Sequence, residues 1–481
     1  MPTPRLKLMS ALSAAWMLFA CSSEGEGARP TGSTTPDAQS DADARQDADS
    51  SADAAQDADA GSDAGADARF TRYPPEQRSP VTASVIARAK SILAANPSRS
   101  TDVFMKVGAS GTVSKNLLYC FAGPSQPAYQ LDLDGRDALL PTLDAFRAGD
   151  AAGSTPFDRP TLAAKVGMSA GWALAGSPSP LQQEVQATNP AFAFVNYGTN
   201  DMGQGVTFAS ALFNFAENLA RILDELEGEG IVPLVTGLNP RTDSTNSAQW
   251  VPTYDALTRG MAEARQLPYL SLYYAAKDLP AQGMIADGIH GNVYSPAGAQ
   301  PCVFTAAGLA YNYNVRNLLS LELLRRIHDG AVLAHAPAEQ PGAVLQGTGT
   351  ATDPWRIDRF PFSHAADTSM SSARNIDSYP GCAASQNESG PEWVYALHLD
   401  AETRLRILVV DRGNVDVDLH LTQGEPKGAS CVARHDRLIQ GTFPSGDYSL
   451  VVDTFATSTE ERAGAYALVV LPCAAGDPDC G

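Results

Sequence analysis

The sequence predicts an α/β domain built on a parallel sheet, followed by an all-β sandwich. Two changes of pattern predict this. From Thr71 to about Ala336, strand-like apolar runs alternate with helix-length segments, as in a mostly parallel sheet covered on both faces. After "APAEQPGAVLQGTGT" (residues 336–350), rich in Pro and Gly, short runs with partial period-2 alternation take over, the pattern of a β-sandwich. The predicted organisation is an export signal over 1–20, a tether over 21–70, the α/β domain over 71–336, a linker over 337–350 and the sandwich over 351–481.

Element by element, "DVFMKVG" (Asp102–Gly108) reads as a buried strand that stops at glycine. "AFAFV" (residues 191–195) is another, breaking into the polar loop "NYGTND". In "VTFASALFNFAENLARILDELEGEG" the apolar residues Leu212, Phe215, Leu219, Ile222, Leu223 and Leu226 keep helical spacing. That helix closes on Gly228 and Gly230, and "IVPLVTG" is the next buried strand. "YNVRNLLSLELLRRIH" is a further helix with an apolar stripe. In the second region the strands are "EWVYALHLD", "RLRILVVD", "VDVDLHLT", "GDYSLVVDTF" and "GAYALVVL".

The N-terminus bounds location. Arg5 and Lys7 precede the apolar run "LMSALSAAWML", too short to span a membrane comfortably, and the run ends in "LFAC". This resembles a bacterial lipobox, which implies cleavage before Cys21 and lipid on that residue, anchoring the chain to a membrane of the cell envelope. Ser22–Phe70 carries twelve acids against three Arg and, before its last residue, nothing aromatic. It is expected to be a disordered, self-repelling tether. With a net charge of −20 overall, nucleic acid is excluded as a partner. Six cysteines remain after Cys21, so disulfides are expected: Cys120 with Cys302, and Cys382, Cys431, Cys473 and Cys480 among themselves.

Three loops of the α/β domain carry reactive residue types. In "KVGASGTVSKNLL" a strand runs into Gly108 and then Ser110, a hydroxyl exposed at a strand-to-helix junction. The loop "YGTND" brings the carboxamide of Asn200 to the carboxyl end of a strand, where open α/β sheets bind ligands. The loop "ADGIHGN" holds Asp287 and His290. His328 and His335 fall at a helix end and near the linker, which leaves His290 as the base, with Asp287 fixing its tautomer.

Together these loops resemble the SGNH, or GDSL, hydrolases. "GTND" (Gly198–Asp201) and "DGIH" (Asp287–His290) match two of that family's blocks, and "SAGW" (Ser169–Trp172) stands for a third. The resemblance implies a flavodoxin-like three-layer fold and ester hydrolysis, without a cofactor or metal, through an acyl-serine intermediate. By it Ser110 is the nucleophile, with Ser114 as fallback, His290 the base and Asp287 its orienting acid. The amides of Ser110 and Gly171 and the side chain of Asn200 form the oxyanion hole. The first block departs from the family, with Ala109 where Gly-Asp-Ser has Asp. The second region resembles the pre-peptidase C-terminal β-sandwich over Gly349–Cys473, where Asp416 and Asp418 alternate and offer a cation site or cap strands.

The expected protein is an exported, lipid-anchored, monomeric esterase acting on O-acyl esters of a carbohydrate or small lipid. The alternative is a catalytically weak surface protein that holds glycan. A metal-dependent hydrolase is disfavoured, because the three loops cluster too few His and carboxylates.

Overall fold

The computed structural model describes residues 72–73, 77–335 and 344–480. The export signal, Cys21, the tether and the first part of the linker lie outside these residues. Among the described residues no helix is long and apolar enough to cross a membrane.

The first region is built on a parallel sheet with the order β1 (Ser100–Gly108), β3 (Pro190–Asn196), β4 (Val232–Thr236), β5 (Tyr269–Leu270). All of β4 is buried, and all of β3 except its last residue. Burial at odd and even positions alike means that both faces are covered, so the fold is the expected three-layer α/β sandwich. Beyond the free edge of β1, a single parallel bridge from Gly108 to Ala164 stands where a further strand would be. Two short strands, β2 (Leu131–Asp132) and β6 (Cys302–Val303), pair apart from the sheet. The covering helices are α1 (Ala83–Ala95), α3 (Leu140–Ala148), α5 (Pro180–Thr188), α6 (Phe208–Gly228), α7 (Thr245–Ala264) and α9 (Asn312–Ile327), with short turns α2 (Ser110–Val113), α4 (Ala170–Ala173) and α8 (Leu272–Ala276).

Helix α6 buries the stripe its spacing predicts, Leu212 through Leu226. It starts at Thr207, whose hydroxyl accepts the Ser210 N–H while the Ser210 hydroxyl bonds the Thr207 N–H. That reciprocal cap satisfies two otherwise unpartnered amides. Its apolar face joins Phe104, Phe146, Phe192 and Leu234 in one core.

The second region holds two sheets. One is antiparallel, ordered β13 (Leu438–Phe443), β10 (Thr403–Asp411), β15 (Ala465–Pro472), β8 (Phe362–Asp367). The other is ordered β12 (Cys431–His435), β11 (Val417–Gln423), β14 (Gly446–Thr454), β9 (Trp393–Leu399), β7 (Trp355–Ile357), with β7 parallel to β9. The disulfides are Cys120–Cys302, Cys382–Cys431 and Cys473–Cys480, each within one region, as expected.

The two regions are not beads on a linker. Leu408, Leu438, Val469 and Leu471 of the sandwich belong to the core cluster of the α/β region. Helix α7 is the seam. A Cβ on Gly260 would lie 3.1 Å from Ser363 and 3.2 Å from Val469, so the missing side chain is what lets β8 and β15 approach. Arg406 and Asp477, both fully buried, pair at 2.8 Å. The same guanidinium donates to Thr253 of α7 at 2.9 Å and stacks 3.7 Å above the Trp250 ring.

Candidate active site

Three loops meet at the carboxyl ends of β1 and β3. Strand β1 ends at Gly108, where a Cβ would fall 2.2 Å from Thr112 Oγ1 and 2.7 Å from the Asn196 carbonyl. Only glycine lets the chain turn into α2 against β3, and that turn presents Ser110. His290 comes from a loop closed on itself, with Met284 bridged to Gly291. Within it Asp287 Oδ1 accepts the N–H groups of Ile289 and His290, each at 2.9 Å. Gly288 sits at φ +69°, and a Cβ there would strike the Asp243 backbone at 2.3 Å.

The Ser110 hydroxyl donates to His290 Nε2 at 2.9 Å, and His290 Nδ1 donates to Asp287 Oδ2 at 2.7 Å. With Nδ1 carrying the proton, the Nε2 lone pair faces the hydroxyl. That is the tautomer a base needs. The Asp287 carboxyl is held down at about 2, first by the His290 and Ile289 amides and only then by the imidazole. It stays anionic, and its side chain, 42 % exposed, is also within reach of water. Ser110, His290 and Asp287 therefore form one hydrogen-bonded chain.

The remaining expected residues are placed differently. Ser114 caps the end of α2, its hydroxyl accepting from the Asn116 N–H rather than meeting the imidazole. Asn200 gives its side-chain amide to the Met168 carbonyl at 3.0 Å. It follows Thr199, which lines the cavity beside Ser110, but does not itself line that cavity. Gly171 does not line it either; it lies in α4 with its Cα toward Asn218 of α6. His328 is buried against Phe146.

Several residues at this rim were not singled out by the sequence. Asp201, the last residue of "GTND", is buried and accepts the Ala170 N–H at 2.8 Å and the Gly198 N–H at 2.9 Å. It ties the Asn200 loop to α4, while burial pushes its carboxyl above the usual range. Arg316 of α9 donates to Asn196 Oδ1 at 3.1 Å, and Asn196 donates on to the Gly237 carbonyl at 2.9 Å. Arg316 Nη1 is buried without a partner and lies 3.2 Å from where a Gly111 Cβ would be. A buried cation thus sits directly behind the Ser110 turn. The available signal was the polar spacing Asn312, Asn314, Arg316, Asn317 at the start of a helix that otherwise carries an apolar stripe.

The cavity in front of Ser110 is about 20 Å³, walled by Ala109, Gly111, Asn196, Tyr197, Asn239 and Tyr313 among others. Two grooves of about 570 Å³ lie elsewhere, one over Arg325 and Arg326 and one along the seam. Neither touches the Ser–His–Asp chain, so bonding geometry rather than volume marks the site.

Residues 152–294 match the GDSL-like lipase/acylhydrolase family. The matched span holds Gly171, Asn200, Asp287 and His290, and Ser110 lies upstream of it. The α/β region is similar in structure to a GDSL-like lipase from Bacteroides thetaiotaomicron, at 14 % identity and TM-score 0.30, covering 50 % of this chain and 98 % of that one. It is also similar to an acetylxylan esterase from Geobacillus stearothermophilus, at 10 % identity and TM-score 0.30, covering 46 % and 93 %. The sandwich is similar to the pre-peptidase C-terminal domain of a collagenase from Bacillus anthracis, at 13 % identity and TM-score 0.16, covering 24 % and 91 %. No curated protein sequence matches the chain.

Proposed function

We propose that the protein is a serine ester hydrolase acting on O-acyl esters. The observation that carries this reading is the continuous chain from the Ser110 hydroxyl through His290 to Asp287. Ser110 Oγ attacks the acyl carbonyl as its proton passes to His290 Nε2. The tetrahedral intermediate collapses, the C–O bond to the alcohol breaks, and His290 returns the proton to the departing alkoxide. Water, deprotonated by the same nitrogen, then cleaves the acyl-Ser110 ester and releases the acid. The oxyanion is met by the Ser110 amide; Asn200, whose side-chain amide is held by the Met168 carbonyl, joins it only by turning toward Ser110. Arg316 behind Gly111 adds a positive field on the same side.

In this reading Cys21 carries the lipid and the acidic tether holds the enzyme away from the membrane, outside the cytoplasm, as a monomer. The alcohol is that of a carbohydrate or small lipid. The deciding assay compares an acetyl reporter ester and its decanoyl homologue with wild type and Ser110→Ala. Turnover of either ester by wild type alone supports the reading. Equal turnover by both proteins removes Ser110 from the chemistry, and no turnover by either leaves a glycan-holding surface protein.

A further inference from the structure

The outer face of the five-stranded sheet of the sandwich is apolar where Val394 and Val451 pack with Ile376 and Tyr379, but along β11 it is both polar and buried. Asp418 and His420 alternate on β11 and so point to one side, where the segment from Ser371 to Pro391 covers them. Glu388 of that segment is turned inward beside them. Glu388 and His420 are fully buried and Asp418 is 4 % exposed. Both carboxylate oxygens of Glu388 and both ring nitrogens of His420 have no hydrogen-bond partner. Four orphaned polar atoms in one place are costly, because each loses water and gains nothing.

Neighbouring groups do not discharge that cost. The Tyr379 ring stacks on the imidazole with centroids 3.4 Å apart and planes 5° apart, but its hydroxyl goes to Asp453 at 2.6 Å. Arg434 of β12 donates to Asp418 Oδ1 at 2.8 Å and stays 3.7 Å from Glu388 Oε1. His420 Nε2 is 3.8 Å from the same oxygen, too far for a hydrogen bond. One ligand atom from each of Glu388, Asp418 and His420 lies within 4.8 Å of the others, a spacing that closes onto a central ion with small side-chain movement.

We propose that Glu388, Asp418 and His420 bind a divalent first-row transition ion of the zinc class. One imidazole with two carboxylates is a borderline N/O donor set, suited to zinc rather than to calcium or magnesium. Neither ring nitrogen of His420 is engaged by a protein group, so a lone pair is available. The ion clamps the covering segment onto β11 from one side, as the Cys382–Cys431 disulfide clamps it onto β12 from another. Asp416, the other acid expected to serve a cation, is instead paired with Arg462 at 3.1 Å and stays outside the set.

The test uses the full chain stripped with a chelator and titrated with Zn²⁺ against a chromophoric competitor, with Co²⁺ absorption as a signature of the ligand field. The expected result is one equivalent per chain and a raised melting temperature. His420→Ala and Glu388→Gln should each weaken binding at least tenfold, while Asp416→Asn leaves it unchanged. Absence of saturable Zn²⁺ binding to wild type overturns the proposal, even should the variants fail to fold. Binding unaltered in both variants, or Ca²⁺ bound in preference to Zn²⁺, overturns it equally. Ester turnover plays no part in these readouts, so the site stands or falls apart from the proposed activity.

Discussion

A carboxylate and a histidine come together twice in this molecule, under opposite conditions. At the rim of the α/β sheet the Asp287 and His290 side chains are 42 % and 40 % exposed, and each is bonded to its neighbour. In the sandwich Glu388 and His420 are fully buried and bonded to nothing. An imidazole with a donor on one side, an acceptor on the other and water in reach is arranged to move a proton. An imidazole sealed away with neither is arranged to hold an ion. The same residue types acquire different chemistry through burial and pairing, so each variant should damage either turnover or stability, rarely both.

The largest effect is expected at the rim. His290→Ala should lower kcat by on the order of 10⁴-fold, because Ser110 then has no base. The Ser110→Ala, His290→Ala double variant should lose scarcely more, since the two act as one unit. Urea unfolding should shift by no more than about 0.5 kcal/mol for either, neither residue being buried. Additive losses in turnover, or a collapse in stability, would show that the rim is a structural contact.

The seam supplies the converse. Arg406→Met leaves Asp477 buried and unpaired, and breaking a buried pair costs about 3–5 kcal/mol. Turnover per folded molecule should be unchanged, as neither residue lines the Ser110 cavity. A second substitution, Asp477→Leu, should recover much of the loss by removing the stranded charge.

These contrasts also mark what could be read from the chain. Strands and helices with a clean period were legible: β3, β4, α6, and the sandwich strands β9, β10, β11, β14 and β15. So were the three loops, because their polar residues interrupt apolar runs at strand ends. Helix α7 was not legible. It buries Ser247, Gln249, Thr253, Asp255, Thr258, Arg259 and Glu263 together with Trp250 and Leu257, since the sandwich covers the side that would otherwise face solvent. A helix enclosed all round by two regions has no polar face to set its period. Strand β8, "FSHAAD", fails for a related reason: its Ser363 and His364 are buried against partners distant in sequence, Glu263 and Tyr395. The seam was not legible because every contact across it joins residues distant in sequence. The set Glu388 with His420 was hidden for the same reason, while Asp418 was visible as part of an alternating strand.

A smaller effect separates orientation from basicity. Asp287→Asn should reduce kcat by about 10²-fold, within the range for one general acid–base element, and less than loss of the base itself. The carboxyl titrates at about 2, so in wild type it is anionic at every pH where the enzyme is assayed. Asp287 should therefore add no inflection to kcat/KM across the assayed pH range. An acid-side inflection present in wild type and lost in Asp287→Asn would show that Asp287 gives up its charge within that range.

Glu263 lies between the two extremes, buried like Glu388 yet bonded like Asp287, and so measures what bonding alone accomplishes. It accepts from the Tyr73 N–H and from the Ser363 hydroxyl at 2.9 Å, with Arg72 and Arg259 as the nearby cations. Burial still outweighs these partners and lifts its carboxyl from 4.5 to about 7. Because the folded value is the higher one, the native state binds this proton more tightly than the unfolded chain does. The stabilisation is complete below about pH 4.5, falls as pH rises, and is gone above about pH 7. Between pH 5 and 7.5 wild type should lose on the order of 2 kcal/mol through this group. Glu388 and Asp418 are also raised, to about 8 and about 6, so the informative quantity is the difference between wild type and Glu263→Gln in urea midpoints across that interval. Glu263→Gln keeps an acceptor for both donors but cannot ionise, and its slope should be the flatter. Parallel slopes would mean that the two hydrogen bonds and the two arginines already hold Glu263 as an anion, and that burial without bonding, as at Glu388, is the condition that sets a carboxyl apart in this fold.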